Sequence, residues 1–212
     1  MEDKKYFQTI SHSVQFENNI KKSRFIALVW EVETEEEVKS FLKESNQEYP
    51  DATHHCWAYR MGFDRNEVIQ YSDGGEPANT AGPPILQAII QEQLTNVLVL
   101  VIRYFGGIKL GKSGLIKAYR DTARLGLGRA GKKRKFSWRE FTIEEIEYPH
   151  LGNILQSIES KSGRIEDIFY GEKVKMVILI PEAEQEWLQQ VVNNVTQGKA
   201  LLNKGALRWL NG

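Results

Sequence analysis

A single cysteine, Cys56, occurs in 212 residues, so no internal disulfide can form, which agrees with a reducing compartment. Nowhere does the chain carry the ~20 consecutive apolar residues of a helical membrane span. The start, Met1-Glu2-Asp3-Lys4-Lys5, lacks the apolar core of a secretion signal, and a cytoplasmic location is expected. Neither sign of charge is in excess, since 28 Lys and Arg balance 28 Asp and Glu, which excludes a uniformly basic partner-binding protein. With 41% hydrophobic and 26% charged residues the proportions are globular, and disorder, collagen and coiled coil are excluded.

The balanced total hides an uneven distribution. From Arg103 to Lys135 there are eleven Lys and Arg against one acid, Asp121. The acids gather at Glu31 to Glu37 and in the last third, which predicts a polarised field. The basic segment is either a solvated face or the seat of an anionic partner.

Ser23 to Trp30 has strand character, and Thr34 with Glu37 three residues on forms a capping box that opens a helix burying Val38, Phe41 and Leu42. Thr53 to Met61 and Glu67 to Tyr71 read as two strands of a hairpin turning through Gly62 to Asn66. A Gly-rich loop, Asp73 to Gly82, leads to a helix started by Pro83-Pro84, with Ile85, Ala88 and Ile89 on one face. Asn96 to Tyr104 is a continuous apolar run, the pattern of a strand buried on both faces and central to its domain. A second Gly-rich loop, Phe105 to Gly114, precedes a helix from Leu115 to about Leu127. Its inward positions are expected to be Leu115, Ala118, Thr122 and Leu125, with Lys117, Arg120 and Arg124 on the other side.

Gly126 to Lys135 combines three glycines with a basic cluster and reads as a linker, which sets two domains, 1–134 and 135–212. Beyond it come a strand (138–147), a helix (149–162), strands at 164–170 and 173–180, a helix (182–195) and a last strand (199–210). This βαββαβ order specifies a ferredoxin-like sandwich, and the fold class as a whole is α+β.

Gly106-Gly107-Ile108-Lys109-Leu110-Gly111-Lys112-Ser113 satisfies the P-loop pattern and lies between a strand and a helix. A P-loop also needs a metal-binding carboxylate from a neighbouring parallel strand, and none is found, which argues against nucleotide hydrolysis. The same glycines and the helix start could instead hold a phosphate or a nucleic-acid backbone, with Lys109, Lys112 and Arg120 adding charge and Tyr104 and Phe105 offering stacking surface. Alternatively the glycines only permit a tight turn. The loop after Tyr71 carries Asp73 and Glu76, two carboxylates and a weak metal signal. In His54-His55-Cys56 adjacent strand residues face opposite ways, so the three cannot meet on one ion; one histidine at most faces a site, with Cys56 opposite. Cys56 reads as buried packing rather than a nucleophile.

Three ordered motifs, Ala52-Thr53-His54-His55-Cys56-Trp57-Ala58-Tyr59-Arg60, then Asp73-Gly74-Gly75-Glu76-Pro77 with Thr80-Ala81-Gly82-Pro83-Pro84-Ile85-Leu86, then Arg103 to Gly111, resemble the IMPACT (YigZ-like) family. The resemblance covers about Lys22 to Leu127, and the second domain resembles the smaller C-terminal domain of bacterial members. It implies a first domain folded like domain 2 of ribosomal protein S5, a second like the last domain of elongation factor G, and a role near translation. Eukaryotic relatives regulate a kinase that senses uncharged tRNA; bacterial members have no agreed activity. By position, His54, Asp73, Glu76, Arg103, Lys109 and Arg120 match the family's polar residues. Gly74 stands where a second aspartate is common, Asn79 where glycine is common, and Lys112-Ser113 where small residues are common.

The expected function is therefore translation-linked binding of RNA or the ribosome through His54, Asp73, Glu76, Arg103, Lys109, Lys112, Arg120 and Arg124, with no metal or cofactor and no membrane association. No residue is assigned a catalytic role. Two competing expectations are an enzyme acting on a small phosphorylated or nucleotide ligand between the two Gly-rich loops, and an adaptor for a protein partner using an apolar patch near Trp57, Tyr104 or Phe105.

Overall fold

The computed structural model describes residues 6–211, except the side chain of Asp64. The opening Met1 to Lys5, read above for its lack of a signal, lies outside them. The chain forms two compact units, one of Phe7–Lys133 and one running from Arg134 onward that also includes Tyr6.

In the first unit the elements are β1 (Tyr6–Ile10), β2 (Val14–Ile20), β3 (Ser23–Glu31), α1 (Glu35–Glu48), β4 (His54–Met61), β5 (Val68–Ser72), α2 (Gly82–Gln91), β6 (Val97–Tyr104) and α3 (Gly111–Ala130). An antiparallel sheet runs β2-β3-β6-β4-β5. β6 is its middle strand, buried from Val97 through Arg103, which is why its sequence is apolar from Val97 through Ile102 rather than at alternate positions. Val97, Val99 and Val101 face the core shared with Ile85 and Ile89 of α2 and Leu115, Ala118 and Tyr119 of α3. Leu98, Leu100 and Ile102 face the other way, where Val38 and Leu42 of α1 cover them.

The capping box forms as expected: the Glu37 amide donates to Thr34 Oγ1 (3.2 Å) and the Thr34 amide to Glu37 Oε2 (3.2 Å). Two expectations need correction. α3 starts at Gly111 rather than Leu115, and Leu125 is 39% exposed while Tyr119, Ala123, Gly126 and Leu127 are buried. The inward stripe passes through Gly126, where an added Cβ would lie 3.1 Å from Ala27 Cβ, so the missing side chain is what lets the helix lie on β3. The segment read as a linker is not one. α3 continues to Ala130, Gly131 turns the chain with φ +64°, and β7 (Lys132–Ile146) begins at once. Lys132 pairs with Glu92 (2.8 Å) and Lys133 with Glu31 (2.6 Å), so part of the basic cluster is consumed locally.

The second unit continues with α4 (Tyr148–Ser160), β8 (Arg164–Phe169), β9 (Val174–Pro181), α5 (Gln185–Thr196) and β10 (Leu201–Asn211). Its antiparallel strands lie in the order β10-β7-β9-β8. Ile154 and Ile158 of α4 and Leu188 and Val192 of α5 share one core with Ile143, Met176 and Ile178, so both helices cover the same sheet face. Among the described residues no helix is long and apolar enough to cross a membrane.

Candidate functional site

Strand parity aims the site residues. Arg103 continues the Val97, Val99, Val101 series of β6, and His54 begins the His54, Cys56, Ala58 series of β4, so both point to the face covered by α2 and α3. Ser23 and Phe25 of β3 share that face and meet Arg103 there. This corrects the placing of Cys56 opposite the site-facing histidine: His54 and Cys56 lie on one side, and His55 is the residue turned toward α1.

Both Gly-rich loops are fixed at their roots. The Phe105 amide donates to Thr53 Oγ1 (3.0 Å) and the Gly106 amide to Ser23 Oγ (3.3 Å). Gly106 lies so near the Lys22 carbonyl that a Cβ would come within 1.9 Å of its oxygen, which only glycine tolerates. On the other side, the Asp73 carboxylate accepts from the amides of Asn79 (2.8 Å), Ala81 (2.9 Å) and Gly82 (2.9 Å). Burial pushes the Asp73 pKa up, but the backbone donors outweigh it and leave it below the usual carboxylate value. Asn79 sits at φ +62°, a left-handed conformation that asparagine accepts more readily than most side chains.

Glu76 anchors the floor. Its side chain is 3% exposed, and Oε1 accepts from Arg103 Nη1 (2.6 Å) and from the Tyr119 hydroxyl (2.8 Å). Arg103 also donates from Nη2 to Ser23 Oγ (3.3 Å), while its buried Nε finds no partner among the described residues. The guanidinium lies 5.4 Å from the ring centres of both Phe25 and Phe105. Burial, followed by the neighbouring Cys56 and Glu76, pushes the Tyr119 phenol well above its ordinary value, so it stays protonated and donates. The Cys56 thiol is pushed up to about 12, chiefly by burial, and donates to the Asp73 carbonyl (2.9 Å). A thiol in that state is packing, not a nucleophile.

His54 completes the floor. Its Nδ1 lies 3.0 Å from the Gly74 carbonyl oxygen, which can only accept, so the neutral ring carries its hydrogen on Nδ1 and leaves the Nε2 lone pair free. Nε2 stands 3.8 Å from Glu76 Oε2, too far for a hydrogen bond. Glu76 Oε2 accepts no hydrogen bond among the described residues. Two acceptors therefore stand side by side.

Above them opens a cleft of about 640 Å³, lined by Thr53, His54, Glu76, Arg103, Phe105, Lys109, Lys112 and the start of α3. Leu110 gives α3 no side-chain cap, so the first-turn amides and the positive end of the helix dipole are left to the cleft. Phe105 is 46% exposed, and Lys109 and Lys112 are exposed without an ion pair among the described residues.

Of the residues singled out in the sequence, the structure brings together His54, Glu76, Arg103, Lys109 and Lys112. Asp73 stands behind the loop as its staple. Arg120 is half-buried beside Asp121 (Nε to Oδ1, 3.6 Å) and Arg124 is exposed one turn on; neither lines the cleft. Tyr119 and Ser23 were not foreseen. Tyr119 lies four residues after Leu115 on the same helix face, and Ser23 two before Phe25 on the same strand face, so extending the periodicity to polar residues would have found both. The P-loop-like Gly106 to Ser113 does span a strand and a helix start, but its sheet is antiparallel. Among the described residues no group of three His, Cys, Asp or Glu is spaced to hold a metal ion.

The chain matches two family descriptions: residues 21–127 match the Impact N-terminal domain, and residues 145–199 match DUF1949, a domain of unknown function. It is 33% identical over 205 residues to the IMPACT family member YvyE of Bacillus subtilis (strain 168), covering 97% of this chain and 93% of that protein. The IMPACT family member YigZ of Escherichia coli (strain K12) is 36% identical over 166 residues, covering 78% and 81% of the two chains. A solved structure described only as the crystal structure of an hypothetical protein superposes with a TM-score of 0.69 at 31% identity, covering 95% of this chain and 98% of that one. The chain belongs to the IMPACT family.

Proposed function

We propose that the first unit binds single-stranded RNA, admitting one unstacked nucleotide into the cleft, and that the protein acts through this contact as a regulator of translation. The observation that carries the proposal is the pairing, in one cleft, of an uncapped helix start flanked by two unpaired lysines with an exposed phenylalanine. A phosphate has donors and positive charge at α3, and a splayed base has a ring to stack on. A cleft of about 640 Å³ suits a ligand of nucleotide size. Family membership supports the link to translation. We further read the first unit as folded like domain 2 of ribosomal protein S5 and the second as a ferredoxin-like domain akin to the last domain of elongation factor G, supported by the β10-β7-β9-β8 order with both helices on one face.

Binding of a labelled single-stranded oligonucleotide, followed by fluorescence anisotropy over a salt series, tests this. Replacing Lys109 and Lys112 together by alanine should weaken binding and flatten the dependence of log K on log salt by about 0.7 per lost phosphate contact. Arg120 and Arg124 replaced together should leave the slope unchanged, because they stand away from the cleft. The opposite pattern would move the contact to the α3 face. Convergence of His54 and Glu76 favours a second reading, an enzyme acting on a small phosphorylated or nucleotide ligand in the same cleft; release of product from a nucleotide panel by the intact protein would support it.

A further inference from the structure

We infer that the cleft selects guanine, reading the paired N1–H and N2 amino donors of its base edge with Glu76 Oε2 and His54 Nε2. The inference rests on the RNA reading above and adds to it a base preference.

The premise is a donor–acceptor count. Glu76 Oε1 is already occupied by Arg103 and Tyr119, so the carboxylate cannot rotate away, and its other oxygen is left facing the cleft. The carboxylate is ion-paired with the Arg103 guanidinium (Nη1 to Oε1, 2.6 Å), and an ionised carboxylate only accepts hydrogen bonds. His54 is tied at Nδ1 to the Gly74 carbonyl, and in the neutral ring Nε2 is in consequence a second acceptor, 3.8 Å from the first. An occupant with an acceptor at either position would leave lone pairs opposed in a site where one wall is 3% exposed, and an unmet buried polar group is costly.

Among the four bases only guanine offers two adjacent donors. Adenine and cytosine each place one donor beside one acceptor, and uracil places its single N–H between two carbonyls, one of which would face the carboxylate or the imidazole lone pair. The strong acceptor, the carboxylate, takes N1–H, and His54 takes the amino group. The O6 carbonyl on the far side of N1 is then left for Lys109 and Lys112, which line the same cleft, and the purine ring gives Phe105 more area to stack on than a pyrimidine would.

The test uses the full chain and an oligoadenylate of six nucleotides in which one position is replaced by guanosine, inosine, 2′-deoxyguanosine or uridine. Guanosine should tighten binding at least about tenfold over the all-adenosine strand, as expected when a bidentate edge contact is gained. Inosine, which keeps N1–H and lacks the amino group, should recover only part of the gain, and 2′-deoxyguanosine should recover all of it. In the His54→Leu protein guanosine should fall to the inosine level. Equal binding of all five strands would overturn the guanine preference while leaving RNA binding standing. Loss with 2′-deoxyguanosine but not with inosine would mean that a ribose hydroxyl, not a base edge, meets the two acceptors, and would overturn it as well. No binding of any strand would remove the RNA reading itself.

Discussion

At the scale of single residues, the acidic positions do unlike work. Asp73 spends its carboxylate on three backbone amides and shapes a loop, while Glu76 spends one oxygen on Arg103 and Tyr119 and keeps the other for the cleft. Removing Glu76 would strand a buried guanidinium. Glu76→Ala should therefore lower the unfolding free energy by about 3–5 kcal/mol, read from urea denaturation, because an uncompensated buried charge is left behind. A loss under about 1 kcal/mol would mean that Arg103 reaches solvent and the ion pair is not a buried one. His55 supplies a pH signature. Burial lowers its pKa from 6.5, so below that value the unfolded chain binds a proton that the folded chain resists. Stability should thus fall as pH drops from 6.5 toward the folded value, and His55→Phe should flatten that part of the curve; an unchanged curve would mean His55 gains no proton on unfolding.

At the scale of elements, packing decides what periodicity alone leaves open. Gly126 lies against Ala27 and Val29, so Gly126→Val should cost about 1–3 kcal/mol through overpacking, visible as a lower melting temperature. Unchanged stability would show that α3 can lift from β3. The same residue shows where the sequence was legible. β6 was readable because it is buried from Val97 through Arg103, the hairpin because its strands flank a short turn opened by Gly62, and α1 because its cap is chemically complete. Gly126 and Gly131 misled in the other direction: glycines chosen for close packing and for a left-handed turn look like a linker when the sheet beneath them is not in view. β1 and β2 escaped notice because an edge strand such as Val14–Ile20, half-buried at alternate positions and carrying Gln, Glu and two Asn, has little apolar signal. Of the site, His54, Glu76, Arg103, Lys109 and Lys112 were readable from motif and charge. Their separation from Arg120 and Arg124 was not, since it depends on which turn of α3 meets the cleft.

At the scale of the whole molecule, the basic segment from Arg103 to Lys135 resolves into groups with different partners. Lys109 and Lys112 stand open at the cleft, Lys132 and Lys133 are ion-paired, and Arg134 lies over the Tyr6 ring. The open sheet face of the second unit has its charges matched, with Arg208 between Glu140 and Glu166 and Lys175 on Glu144, which leaves little there for a phosphate backbone. The central claim is thus local: RNA meets the protein at the cleft of the first unit. The most direct measurement is photo-crosslinking of a single-stranded RNA carrying thio-substituted bases to the intact protein, with the crosslinked peptides identified by mass spectrometry. The account predicts crosslinks within residues 103–115, centred on Phe105. Crosslinks confined to the Arg120 to Arg129 face or to the second unit would contradict it.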